Sequence, residues 1–350
     1  MDEYSHLTYR SLHLNDHTLD ENIPALTSES SRRSFPLPIS SLDALDRLPP
    51  ELLEQILLYL DIRALINFQY INRRSADLVN HLPTYKVIVT HARNALRGIL
   101  CIQTGKWITC SMLLEKLRTS SCDKCGDFGG YLYLLTCKRV CFLCLSQEKE
   151  YLPLGLSHAY RKFGLERAEV QKLPCLRVIP GTYSPNEKKA NETVLVDYEA
   201  ALNCALAHHG SLDAMHTYVT NQLAKRQEDY EKRLMQVQQV EGSRHIRKPP
   251  TGDPHDGRWG NPFRFVAIVS VPWLDRSSLD TIEWGFHCLG CARSSRPPFH
   301  KRRKFVRSSF HDHIRECDNI ENGMHLNLKA MRKKGYKVIC INYIMAVFLS

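Results

Sequence analysis

Residues 45–79 read LDRLPPELLEQILLYLDIRALINFQYINRRSADLV, and this stretch sets the first unit of the fold. Leu48-Pro49-Pro50-Glu51 opens a helix, because proline is tolerated in a first turn whose N–H groups have no intrahelical partner. Leu52, Leu53, Ile56, Leu57 and Leu60 then recur at three- and four-residue spacings and share one face. Asp61 restarts a second short helix with Leu65, Ile66 and Phe68, and Asn72-Arg73-Arg74 precedes a third with Ala76, Leu78 and Val79. A helical unit this small has a marginal core on its own. Its apolar stripe is generous for its size, so a partner is expected to cover part of it.

Outward from this unit, the chain of 350 residues is long enough for two to three domains, and its 43% hydrophobic content supports real cores. The formal net charge of +10 is uneven. Residues 41–90 carry 5 basic and 6 acidic groups, whereas residues 241–350 carry 19 and 10. The first 40 residues, with SESSRRS and FPLPIS, lack periodicity and read as a disordered arm. The most apolar stretch, Val338 to Leu349, is shorter than the roughly 20 residues a bilayer span needs. The N-terminus has no basic-then-apolar signal layout, so a reducing compartment, cytoplasmic and/or nuclear, is expected. There, 13 cysteines read first as metal thiolates.

Those cysteines are grouped. Residues 122–144 read CDKCGDFGGYLYLLTCKRVCFLC, with one C-x2-C at Cys122 and Cys125 and another at Cys141 and Cys144. Each knuckle offers two sulfurs on one turn, and zinc takes four such donors tetrahedrally. Gly126, Gly129 and Gly130 let the backbone curl back, and Tyr131 to Leu135 reads as a strand. A segment this short cannot bury enough surface to fold alone, whereas zinc supplies about 10–16 kcal/mol in such modules. Cys137 is a spare thiolate that can replace one of the four.

A second group starts at Cys288-x2-Cys291. His311, His313 and Cys317 follow in SSFHDHIREC. His313 and Cys317 are four apart and face the same way on a helix, with His311 as the competing ligand. Cys101, Cys110, Cys175, Cys204 and Cys340 read as core packing. Between the two halves of this second group, Arg293 to Arg307 holds seven basic residues and no acidic ones. Lys301-Arg302-Arg303-Lys304 is a candidate import signal or phosphate patch, with a solvated loop as the plainer reading.

Elsewhere, Asp197 caps a helix YEAALNCALAHH that Gly210 stops, and Ser211 caps a long helix to about Val240. RKPPTGDPHDGRWGNP, 247–262, reads as a linker, and Phe263 to Val271 as a continuous strand. No P-loop, Rossmann glycine pattern or nucleophile–base spacing is present in the sequence.

The 45–79 stretch closely resembles the F-box. Leu48, Pro49, Glu51, Leu52, Ile56, Leu57, Leu60, Leu65 and Arg73 match its pattern in order. Asn72 stands where serine is usual, and the common tryptophan shortly after is absent. The resemblance implies docking onto a Skp-type adaptor of a cullin ubiquitin ligase through Leu48, Pro49, Leu52, Leu53, Ile56, Leu57, Leu60 and Leu65. The cysteine blocks together with LPCLRVIPGTY are similar to a fungal group of F-box proteins, over about residues 41–320.

The expected architecture is α+β: a small N-terminal helical F-box followed by a mixed, zinc-stapled C-terminal region. Its parts are the arm 1–40, the F-box unit 41–90, a four-cysteine zinc module plus helices over 91–240, and a linker or long loop, 241–262. A second zinc module with three cysteines and one histidine, 263–335, and an apolar tail, 336–350, complete it. The metal ligands are Cys122, Cys125, Cys141 and Cys144, then Cys288, Cys291, His313 and Cys317. The function expected is a non-enzymatic adaptor that recruits an unknown protein substrate. The alternative is a zinc-finger nucleic-acid-binding protein using the basic C-terminal patch.

Overall fold

The computed structural model describes residues 4–10, 15–25, 42, 45–238, 248, 257–275, 282–292, 300–317, 320–321, 324–325, 336–341 and 344–349. The chain enters through β1 (Thr8–Tyr9) and a short helix α1 (Leu19–Asn22). The expected disordered arm is corrected over 4–10 and 15–25. Leu7 and Leu19 are buried, and Asp20 accepts hydrogen bonds from the Ser270 N–H and the Asn94 amide, each at 2.7 Å. The polar composition that reads as solvated supplies long-range hydrogen bonds instead; the rest of the arm lies outside the described residues.

Three helices follow from the opening stretch: α2 (Pro50–Tyr59), α3 (Ile62–Gln69) and α4 (Arg73–His81). Pro50 sits in the first turn of α2. Asp61 caps α3 by accepting from the Ala64 N–H at 2.8 Å. Asn72 and Ser75 form a reciprocal capping box on α4. The helical run does not stop at residue 90. It continues through α5 (Pro83–His91), α6 (Arg93–Cys101) and α7 (Cys110–Arg118). Leu57, Ile62, Leu65 and Val79 share one core with Ile88, Ile99 and Leu113 of these later helices. The marginal three-helix core is thus completed by its own chain.

That core extends onto a small sheet. β2 (Tyr131–Tyr133) and β3 (Lys138–Val140) form a hairpin, and α8 (Phe142–Gln147) follows. A second sheet is laid down by β4 (Leu154–Gly155), β5 (Cys175–Arg177) and β8 (Val194–Val196), in the order β4-β8-β5. Between its strands come α9 (Leu156–Phe163), α10 (Arg167–Val170) and the hairpin of β6 (Gly181–Tyr183) and β7 (Lys188–Ala190). Asp197 caps α11 (Tyr198–His209) by accepting from the Ala200 N–H at 2.8 Å, and Gly210 ends it with φ +81°. Then α12 (Leu212–Gln238) starts on the Ser211 hydroxyl, which accepts from the Ala214 N–H at 3.1 Å.

The continuous strand expected over 263–271 is corrected. Only β9 (Ile268–Ser270) is extended, and it pairs with β2 to give the order β3-β2-β9. Asn261 and Pro262 start a 3-10 turn over Pro262–Arg264, and Phe265, Val266 and Ala267 are wholly buried in turns. An all-apolar run carries no alternation to tell a strand from a buried turn. Of the expected linker, Gly260 and Asn261 are buried against the body, and the Gly257 carbonyl accepts from the Arg264 guanidinium at 2.9 Å.

The last part contains β10 (Trp273–Leu274), β11 (Ile282–Glu283), β12 (His287–Cys288), α13 (Leu289–Ala292) and α14 (Arg307–Glu316). β10 pairs with β11, and β12 pairs with β1 from the other end of the sequence. Two backbone hairpins close the chain: β13 (Ile320–Glu321) with β14 (Met324–His325), and β15 (Tyr336–Ile341) with β16 (Ile344–Leu349).

Candidate metal centres and a candidate docking face

The first knuckle turns tightly: the Cys122 N–H donates to the Asp127 carbonyl at 2.6 Å, and the Gly126 N–H returns to the Cys122 carbonyl at 3.0 Å. Gly126 lies at φ +80°, where a side chain would be strained. The second knuckle is built on a helix start. The Cys141 sulfur accepts from the Cys144 N–H at 3.4 Å and so caps α8. The ligand atoms of Cys122, Cys125, Cys141 and Cys144 all lie within 4.8 Å of one another, and the Cys125 and Cys141 sulfurs are 3.6 Å apart. A disulfide needs about 2.05 Å. Sulfurs tetrahedrally placed about 2.3 Å from a zinc ion are about 3.8 Å apart. Hydrogen bonds from Cys141 and Cys144 hold the Cys122 thiol well below its ordinary value, toward the thiolate that binds metal.

Two buried arginines brace this group. Arg139 donates to the carbonyls of Gly129 at 2.6 Å, Lys116 at 2.9 Å and Pro272 at 3.1 Å, fixing the loop behind the first knuckle. Arg264 donates to the carbonyls of Leu145 at 3.0 Å and Glu148 at 2.6 Å, at the C-terminal end of α8, where a cation also suits the helix dipole. Sequence reasoning missed both; the available signal was an arginine next to apolar residues, RVCF at 139–142 and FRFV at 263–266.

Cys137 is not drawn into the group. It turns the β2–β3 hairpin at φ +55°, and burial pushes its thiol up to about 12. Of the five cysteines assigned to packing, Cys110 is buried and Cys175 and Cys204 are half-buried. Cys101 is a correction: it faces solvent, off the stripe that runs through the buried Ile99 and Ile102. The side chain of Cys340 lies outside the described residues.

The second group gathers Cys288 from β12, Cys291 from α13, His313 from α14 and Cys317 from its cap, with ligand atoms within 4.8 Å and all four residues buried. Cys291 Sγ is 3.3 Å from His313 Nε2. The His313 ring stacks on Phe305 at 4.2 Å, which sets its orientation. Hydrogen bonding from Cys291 holds the Cys288 thiol down, at about 4. The N-terminal segment shores up the site: Thr8 pairs with Cys288, and the Leu289 N–H donates to the Leu7 carbonyl at 3.0 Å. His311 is exposed beside Asp312 at 3.7 Å and does not enter the group.

The basic patch is corrected. Arg302 is 4% exposed, paired with Asp16 and stacked 4.4 Å over Phe142. Arg303 reaches Asp127 at 2.6 Å, and Lys304 lies 5.4 Å over Tyr131, where burial pushes its amine down to about 8. Lys301 alone of the four is exposed. The other three form the wall between the two cysteine groups, so they present no phosphate track. Composition hid this because the aromatic and acidic partners are remote in sequence. Residues 293–299 lie outside the described residues.

On α2 and its flanks the eight expected docking residues divide. Leu53, Leu57 and Leu65 are buried, a correction to their place on a docking surface; Leu48 and Leu60 are half-buried. Pro49, Leu52 and Ile56 are exposed, the last two at 46% and 43%. Tyr59, Tyr70 and Ile71, which sequence reasoning did not select, are exposed with them. Adjacent helical positions point about 100° apart, so α2 carries an inward and an outward apolar row. Among the described residues, no helix is long and apolar enough to cross a membrane.

No curated protein and no solved structure matches the chain. The family model of the F-box domain matches residues 45–87, the span of α2, α3, α4 and the start of α5, and the chain therefore carries an F-box domain there.

Proposed function

We propose that this protein is the substrate-recruiting adaptor of a Skp–cullin–F-box ubiquitin ligase. The observation that carries the reading is the coincidence of the F-box match at 45–87 with an outward apolar row, Leu52 and Ile56, that the chain's own core leaves uncovered. Burying such a row under a Skp-type adaptor is favourable at roughly 25 cal/mol per Å2. Ubiquitin transfer belongs to the partner subunits, and the mixed region beyond the F-box recruits an as yet unidentified protein substrate. The likeness of its cysteine blocks to those of fungal F-box proteins belongs to the same proposal.

Zinc fits both cysteine groups. Four sulfurs in one, and three sulfurs with an imidazole in the other, fill a tetrahedral shell with no position open for water. When bound, zinc supplies folding energy and charge neutralisation rather than catalysis. Cys141 and Cys144 orient the first shell through α8, and β1 with Phe305 orients the second.

Co-expression tests the reading. Under reducing conditions the chain is expected to co-purify with a Skp-type adaptor and a cullin, and to carry about two zinc ions. Cys141→Ser and Cys288→Ser should each remove one. Failure to capture the adaptor refutes the ligase assignment, and absence of zinc refutes both centres.

A further inference from the structure

We propose that Cys125 is a site of oxidative modification, at which a hydroperoxide links it to Cys141 in a disulfide and empties the first centre while the second keeps its metal. The inference rests on the zinc reading of the two cysteine groups and adds a chemistry to one of them.

The two groups differ in one respect that decides reactivity. All four ligands of the second are buried, and its three cysteines share one apolar cluster with Leu7, Phe305 and Phe310. In the first, Cys122, Cys141 and Cys144 are buried and Cys125 is exposed. A bound metal holds cysteine as the thiolate, and oxidation selects sulfurs that are both thiolate and accessible. Of the eight proposed metal ligands, Cys125 alone is an accessible sulfur. Cys101 is exposed as well, but it belongs to neither group.

A resolving sulfur stands beside it. Cys141 Sγ is 3.6 Å from Cys125 Sγ, so an approach of about 1.5 Å reaches the S–S bond length. Cys141 is held in place: it joins β3 to α8, and its carbonyl accepts from the Leu145 N–H at 3.0 Å. Cys125 has the room to move. It precedes Gly126, where a Cβ would meet nothing within 4 Å. It follows Lys124, whose ammonium pairs with Glu150 at 2.7 Å on the surface.

The chemistry balances. The Cys125 thiolate attacks the outer oxygen of ROOH, the O–O bond breaks, and the departing oxygen takes a proton and leaves as ROH. The Cys141 thiolate then attacks the Cys125 sulfur, forming the S–S bond and displacing hydroxide, which takes a second proton and leaves as water. Two electrons pass from the pair of sulfurs to the peroxide. Cys122 and Cys144 remain as two donors, short of the four a structural zinc needs. A thiol reductant reverses the step and returns both ligands.

Titration of the full, zinc-loaded chain with hydrogen peroxide tests this, with released zinc read by a chromophoric chelator and disulfides mapped by mass spectrometry. One of two zinc ions should leave, the disulfide found should be Cys125–Cys141, and dithiothreitol with added zinc should restore the lost metal. Cys125→His keeps a donor for zinc and removes the exposed sulfur, so release should need at least tenfold more peroxide. If that variant binds no zinc in the first group, the wild-type disulfide map decides. Release of both ions together, earlier release from the second group, sulfinic acid at Cys125 without a disulfide, or Cys125 linked to any other cysteine overturns the proposal. A reduced chain without zinc refutes the zinc reading and this inference with it. A zinc-loaded chain that resists peroxide refutes this inference alone.

Discussion

Arg139 braces the first cysteine group, and nothing near it in sequence beyond its apolar neighbours names its partners. Its three carbonyl partners lie 10, 23 and 133 positions away. Replacing it by methionine strands those carbonyls in a dry interior, and about 3 kcal/mol of stability should be lost. Denaturant unfolding of Arg139→Met checks this. Asp197 was legible as a cap, but its titration was not. Burial raises its carboxyl from 3.8 to about 6. A raised acid binds its proton more readily folded than unfolded. Its contribution to stability is therefore full below about pH 3.8 and lost as pH rises through 6. Between pH 7 and pH 5 the wild type should gain about 1 kcal/mol relative to Asp197→Asn, which keeps a capping oxygen. Equal pH slopes for the two proteins would contradict the assignment.

At the scale of the element, α2 shows what a periodicity can and cannot decide. The spacing of its leucines located the helix and its proline start. It could not separate the inward row of Leu53 and Leu57 from the outward row of Leu52 and Ile56, because that division depends on where α7 packs, far along the chain. The two rows should respond differently to truncation. Leu57→Ala opens a cavity and should cost about 2–5 kcal/mol. Leu52→Ala alters an exposed position and should change stability by under about 0.5 kcal/mol. Thermal or urea unfolding of the pair reads this directly. The gathering of the cysteine groups was more legible than the strands. A C-x2-C knuckle is a local device, whereas the three extended residues of β9 are set by pairing with β2, far earlier in the chain.

Across the whole molecule, the parts that sequence reading divides are held together by long-range ties. The described residues of the N-terminal segment reach both cysteine groups: Asp16 pairs with Arg302 beside Phe142, and Leu7 packs with Cys288, Cys291 and Cys317. Such ties leave no periodic trace, so an arm of polar composition reads as disorder. The F-box, by contrast, was legible because its helices follow from local leucine spacing and caps. Calorimetric titration with purified Skp-type adaptor probes the proposed docking role of their exposed row, Leu52 and Ile56. The wild-type chain should bind, and the Leu52→Ala, Ile56→Ala double variant should lose at least tenfold in affinity while unfolding at the wild-type denaturant midpoint. Absence of wild-type binding, or undiminished affinity in the double variant, would contradict the assignment of this face.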